Sequence, residues 1–176
     1  MDLGQVDRIT ADAVGEPGAR TFYIQARAGA ELVTVIVEKQ QVQLLAASVL
    51  ELLEDAPEDR PVTHDAPMDL EEPLDPRWRA GRLSIGLDPE RDLFLLEVEE
   101  FRPDLEDLEA DDPRSLLPDA EPEMIRIWAS PGQMLALSRH GAAVVARGRP
   151  TCQFCGNPID AEGHACPAMN GHSKRD

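Results

Sequence analysis

No cysteine occurs in this chain before residue 152, and then three come close together: Cys152, Cys155 and Cys166. Long apolar runs are also missing. None approaches the roughly 20 residues that a membrane-spanning helix needs, which excludes a helical membrane anchor from the sequence shown. The opening "MDLGQVDRIT" has neither a basic start nor an apolar stretch, so it does not read as a secretory signal, and a cytoplasmic location is the expectation. Positive charge is scarce. Seventeen Lys and Arg face 34 Asp and Glu, for a net charge of −17. That field repels phosphate backbones and anionic lipid, which argues against nucleic acid or a membrane surface as the main partner. The common catalytic signatures are absent as well. There is no G-x-S-x-G, no P-loop, no G-x-G-x-x-G and no H-E-x-x-H, and no nucleophile, base and oxyanion hole assemble from the residues present.

What remains is enough for one folded unit. The chain has 176 residues, 42% of them apolar, which supports one domain with a real core and is too short for two large ones. Nine of the fifteen prolines and half of the 34 acidic residues fall in two stretches, 55–76 and 102–123. Neither stretch carries enough apolar surface to offset the entropy of ordering, so both are expected as exposed, mobile acidic loops. The functional alternative is an acidic docking segment for a basic partner.

Between the loops the hydrophobic period is regular. "QVDRITADAV" alternates as a first strand, and Gly15 to Gly18 punctuate a turn. "RTFYIQARA" alternates with Phe22, Ile24 and Ala26 on one face and Thr21, Tyr23 and Gln25 on the other. Ala28-Gly29-Ala30 closes a hairpin into the β-branched "LVTVIVEK". The period then lengthens: Val42, Leu45, Ala46, Val49, Leu52 and Leu53 recur at three and four, which predicts a helix with one apolar face that stops before Pro57. The second half repeats the order. "RWRAGRLSIGLD", "DLFLLEVEEF" and "EMIRIWA" read as strands. Ser130, Pro131 and Gln133 form a capping-box helix start, and that helix runs to a glycine C-cap at Gly148. The expected fold is therefore α+β: a mostly antiparallel sheet from two strand-strand-strand-helix units over residues 1–149, with helices on one face, followed by a zinc-knuckle tail over 150–176.

The tail is the most specific signal. Cys152-x2-Cys155 sets two thiols on a tight turn, and His164 and Cys166, two apart, can face them from an extended segment. Three thiolates and an imidazole make a closed tetrahedral zinc site, with Cys152, Cys155, His164 and Cys166 as ligands and His172 as the alternative fourth. So short a tail has almost no core, and metal would supply its folding free energy, on the order of 10 kcal/mol in small zinc peptides. A redox Cys-x2-Cys pair, free structural thiols and a catalytic zinc are the competing assignments. The redox pair fits poorly, because a third cysteine and a histidine lie beside it without a βαβ setting.

Elsewhere the candidates are weaker. Glu38, Lys39, Gln40 and Gln41 cluster where the third strand becomes the first helix, a place where a helix N-terminus could hold a ligand. "GEPGART" could let backbone approach a ligand, although a plain turn explains it. His64 lies in an acidic loop and is read as solvated; His140, beside Arg139 on the second helix, is read as a surface or half-buried side chain. Arg147, Arg149, Lys174 and Arg175 form the one local basic grouping that could serve nucleic-acid binding through the knuckle.

Three stretches in this order, "VGEPGARTFYIQA", "VEKQQVQLLA" and "GRPTCQFCGNPIDAEGHACPAMNGH", resemble an actinobacterial family of uncharacterised proteins, domain of unknown function 3090. The resemblance runs over nearly the whole chain. It implies a bacterial cytoplasmic protein with a cysteine-rich tail, supports Cys152, Cys155, His164 and Cys166 as one unit, and brings no established activity. It also implies a genomic association with mycothiol metabolism. The expectation is thus a zinc-binding accessory module with a protein partner. The alternative is a hydrolase or transferase acting on a small molecule, with a deep polar pocket near Glu38–Gln41 or Arg20.

Overall fold

Alternating side chains build seven strands, and 3.6-residue periodicity builds two helices, in the order β1 (Asp2–Gln5), β2 (Arg8–Val14), β3 (Thr21–Ala28), β4 (Glu31–Val37), α1 (Lys39–Glu54), β5 (Pro76–Asp88), β6 (Leu93–Glu100), β7 (Met124–Ala129) and α2 (Pro131–Ala146). The structure is a computed structural model that describes residues 1–54, 66–102, 121–148, 152–156, 159 and 166–167. The strands form one sheet in the order β1-β7-β6-β5-β4-β3-β2. Two antiparallel meanders, β2-β3-β4 and β5-β6-β7, are each followed by a helix. They join through a parallel β4–β5 ladder, and β1 adds in parallel to β7. The short turns do give antiparallel pairs. The β4–β5 connection runs instead through α1, and a crossover of that length allows parallel pairing.

The first expected strand is present as β2, which begins only at Arg8, and β1 is an additional strand before it. The alternation of "QVDRITADAV" is continuous, yet the chain turns a corner at Val6 and Asp7. The Val6 N–H donates to the Trp128 carbonyl of β7 (2.8 Å), and the next N–H, that of Asp7, donates to the Arg27 carbonyl of β3 (2.8 Å). β1 and β2 therefore lie at opposite edges of the sheet although two residues separate them. So short a link brings the edges together, and the sheet is rolled rather than flat.

One face of the rolled sheet carries the core: Ile9 and Ala11 of β2, Phe22 and Ile24 of β3, Val33, Val35 and Val37 of β4, Phe94, Leu96 and Val98 of β6, and Ile125 and Ile127 of β7. Onto it pack Val42, Leu45 and Val49 of α1 and Met134, Leu137, Val144 and Val145 of α2. The helices also meet each other. Gly141 is the point of closest approach, where an added Cβ would stand 3.0 Å from Val42 Cγ1 and 3.6 Å from Ala11 Cβ. Nearby the Ser138 hydroxyl donates to the Ala46 carbonyl at 2.8 Å.

The opposite face of β2-β3-β4 carries a polar row. Thr10, Gln25 and Thr34 are in register across the three strands and are all buried. Burial of such groups is tolerated only with partners, and the segment 67–71 supplies them. Thr10 donates to the Met68 carbonyl. The Gln25 amide donates to Thr34 Oγ1 and to the Glu71 carbonyl, 3.0 Å each, and accepts from the Glu71 N–H at 2.8 Å. Arg8 donates to the Pro67 and Asp69 carbonyls. Of the span expected as the first acidic loop, 55–65 lie outside the described residues, whereas 67–71 are strapped to this face and β5 begins at Pro76. The second expected loop lies outside the described residues except at its two ends.

Glu71 locks the strap. Its Oε2 accepts from Arg27 Nε at 2.8 Å and stands 3.2 Å from Arg8 Nη1. The Arg27 hydrogen bond, opposed by burial and helped by the charge of Arg8, holds the Glu71 carboxyl below its ordinary value of 4.5. A carboxyl lowered on folding stabilises the protein above its unfolded pKa, and that contribution is lost as pH falls through the folded value. Glu71→Gln is expected to cost about 1–2 kcal/mol at neutral pH, as for loss of a charged hydrogen bond at a half-buried site. It should also flatten the loss of stability below pH 4.5, and denaturant titrations of both proteins across the acid range check this.

Candidate functional site

The two helix ends and the tail after α2 bring the chemistry-bearing residues together in two places. The first is the cysteine turn. Residues 153–155 form a turn closed by the Gly156 N–H, which donates to the Cys152 carbonyl at 2.8 Å. Gly156 has φ +72°, a left-handed conformation that glycine adopts without steric cost. The turn points amides at sulfur, and the Phe154 N–H lies 3.4 Å from Cys152 Sγ. Cys166 returns from the far side, its Sγ 3.8 Å from that of Cys152. All three sulfurs lie within 4.8 Å of one another, unbridged, with Cys152 and Cys166 buried and Cys155 half-buried.

That spacing is the chemistry of the site. Four ligands arranged tetrahedrally about zinc, with Zn–S of about 2.3 Å, stand about 3.8 Å apart. Three cysteines are thus close enough to hold one metal ion. The amides of Phe154 and Cys155, with lesser help from the Cys155 and Cys166 thiols and against the cost of burial, pull the Cys152 thiol below its ordinary pKa. They favour the thiolate, the form that ligates metal. His164 and His172 both lie outside the described residues, as do His64, Arg149, Lys174 and Arg175. Three of the four expected ligands are therefore brought together.

The second place is a cavity of about 380 Å³, lined by Gly18, Arg20 and Phe22 of the β2–β3 hairpin, the end of β4 from Ile36, Glu38 and Lys39 at the start of α1, Arg79 of β5, and Gly148 after α2. It lies at the strand-to-helix junction where the alternative reading expects a polar pocket. The start of α1 is capped from within: the Glu38 carbonyl accepts from Val42 N–H (3.2 Å), while Gln41 Oε1 accepts from Glu38 N–H (2.7 Å). Gln41 spends its amide protons on the Gly81 and Ala80 carbonyls, so it braces the helix against β5 and does not line the cavity. Gly148 departs from expectation. Arg147 is the C-cap of α2, and Gly148 is not in the left-handed region. Its lack of a side chain serves a close approach instead, because a Cβ there would meet Lys39 Nζ at 3.3 Å and Arg20 Nη2 at 3.5 Å.

His140 is half-buried, as expected, with Nε2 3.3 Å from Asp12 Oδ2. The two are close but poorly aligned, so the nitrogen makes no hydrogen bond with a described residue. Asp12 spends its other oxygen on the Ala13 N–H. Among the described residues no helix is long and apolar enough to cross a membrane.

The family model described as "Protein of unknown function (DUF3090)" matches residues 1–166, and the chain belongs to that family. The match reaches the third cysteine. No curated protein and no solved structure matches.

Proposed function

We propose that this member of the family is a zinc-stapled accessory module that binds a protein partner, with the metal held by Cys152, Cys155, Cys166 and His164. The observation that carries this is the convergence of three sulfurs within 4.8 Å of one another, two of them buried. Three thiolates and one imidazole close the coordination sphere, and a closed sphere leaves no position for substrate or activated water. A sulfur-rich tetrahedral set with one imidazole suits zinc. Its role is then to fix the tail.

A fixed tail presents Phe154. Its side chain is 64% exposed, between two of the ligands, and its own N–H is tied to Cys152 Sγ. An exposed aromatic on a rigid turn is a good contact residue, since it loses little entropy on binding. Native pull-down of the tagged full chain, followed by metal analysis of the recovered complex, tests both parts. The expected result is about one zinc per chain together with a stoichiometric protein partner, and Phe154→Ser should release the partner while retaining zinc. Metal-free chain recovered alone would overturn the proposal.

A small-molecule role is favoured by a different observation, the cavity at Arg20, Glu38 and Lys39. It does not depend on the metal.

A further inference from the structure

The cavity inverts the charge of the molecule that contains it. The chain carries a net −17, yet three cations, Arg20, Lys39 and Arg79, line this one recess against a single carboxylate, Glu38. Arg20 is held in place: its Nη1 donates to the Val144 carbonyl at 2.9 Å, and its guanidinium lies 5.3 Å from the centre of the Phe22 ring. That leaves Nη2 to face Gly148, where Lys39 Nζ and the Val145 carbonyl oxygen approach the same point. Lys39 has no ion pair or side-chain hydrogen bond among the described residues. Two like charges converging on a common point repel unless an anion lies between them. Arg79 approaches from β5 and is neutralised by Glu38. The start of α1 adds to the field, because first-turn amides lack intrahelical acceptors and the helix dipole is positive there.

We propose that this cavity binds a small phosphate monoester, its phosphoryl group held by Arg20, Lys39 and Arg79 at the start of α1. A carboxylate is satisfied by one cation, whereas two guanidiniums and an ammonium suit a dianion with three equivalent oxygens. Phe22, Ile36 and Val37 supply an apolar wall for the organic part. The volume is near the lower end of small-molecule pockets, which span roughly 300–1,000 Å³. A nucleic-acid strand is opposed by the charge of the remaining surface. Binding has an internal competitor. The phosphoryl group takes Arg79 from Glu38, so Glu38 weakens the site it lines.

Calorimetric titration of the full-length protein at low ionic strength tests this, with phenyl phosphate, inorganic phosphate and phenol as probes. Phenyl phosphate is expected to bind saturably at one site, inorganic phosphate more weakly, and phenol not at all. Lys39→Gln removes a side chain without structural partners and should weaken phenyl phosphate by roughly tenfold or more. Glu38→Gln should tighten it several-fold, a gain that a misfolded protein cannot mimic. Arg82→Gln, which removes a charge from an exposed residue on β5 outside the cavity, should leave it unchanged. Absence of saturable binding by both anions at millimolar concentration overturns the proposal. So does binding that Lys39→Gln and Glu38→Gln leave unaltered, or that Arg82→Gln weakens as much as Lys39→Gln.

Discussion

Serine at position 152 is expected to strip the metal from the chain and leave the sheet standing. Cys152 is the hub of the cysteine cluster. Its sulfur is 3.8 Å from Cys166, it accepts the Phe154 N–H, and its carbonyl accepts the Gly156 N–H that closes the turn. A serine hydroxyl does not ionise at neutral pH and is a poor zinc ligand, so Cys152→Ser leaves at most two thiolates and an imidazole. Changes merely behind a metal's ligands already cost about 10–100-fold in affinity, and loss of a ligand should exceed that. Zinc per chain measured by mass spectrometry is expected to fall from about one to a small fraction. Residues after 148 should then become sensitive to protease, because metal binding is the folding free energy of so small a unit. The melting of residues 1–148 should change little, since their core is closed by α1, α2 and the sheet. Full zinc occupancy in Cys152→Ser would remove Cys152 from the ligand set. A lost sheet transition would show that the tail is part of the main fold.

The parts of this architecture written in local pattern were legible in sequence, and the parts written in partner choice were not. Phe22, Ile24 and Ala26 alternate and are buried together; Val42, Leu45, Ala46 and Val49 recur helically and are buried together. The capping box of Ser130 and Gln133 forms in full. Cysteine spacing placed two sulfurs on one turn because chain connectivity alone constrains four residues, and the third, Cys166, follows only from the chemistry of a shared metal. By contrast, the corner at Val6 and Asp7 changes hydrogen-bond partner without interrupting the alternation, so the expected strand starts only at Arg8, and β1, at the opposite edge, is not legible in the pattern. Nothing periodic marks Pro67–Glu71, because backbone carbonyls and one carboxylate hold it, and these carry no hydrophobic signal. Gly148 likewise reads as a helix stop, while the reason for a glycine there comes from Lys39 and Arg20, more than a hundred residues away in sequence.

Gln133→Glu separates two roles that one side chain combines at that corner. As the fourth member of a capping box, Gln133 accepts the Ser130 N–H at Oε1 (2.8 Å), while its own N–H donates to Ser130 Oγ (3.2 Å). Glutamate performs that task as well as glutamine in an ordinary helix start. Here the Nε2 amide also donates to the carbonyls of Val6 and Asp7, 3.0 Å each, in the seam where the two edges of the rolled sheet meet. Gln133 is only 7% exposed, so water cannot replace those bonds freely. Gln133→Ala is expected to cost about 3–7 kcal/mol: about 1 for the cap and about 1–3 for each of the two carbonyls left unpaired. Ser130→Ala, which removes one cap bond and leaves the seam intact, should cost about 1 kcal/mol. Gln133→Glu keeps the cap but sets a carboxylate against two carbonyl oxygens, and should be at least as damaging as the alanine. Against a typical total of about 5–15 kcal/mol, both position-133 variants should be visibly less stable in urea. If Gln133→Glu unfolds at the same urea concentration as the parent, the amide contacts to Val6 and Asp7 contribute nothing and the sheet edges are held together by β1 and β2 alone.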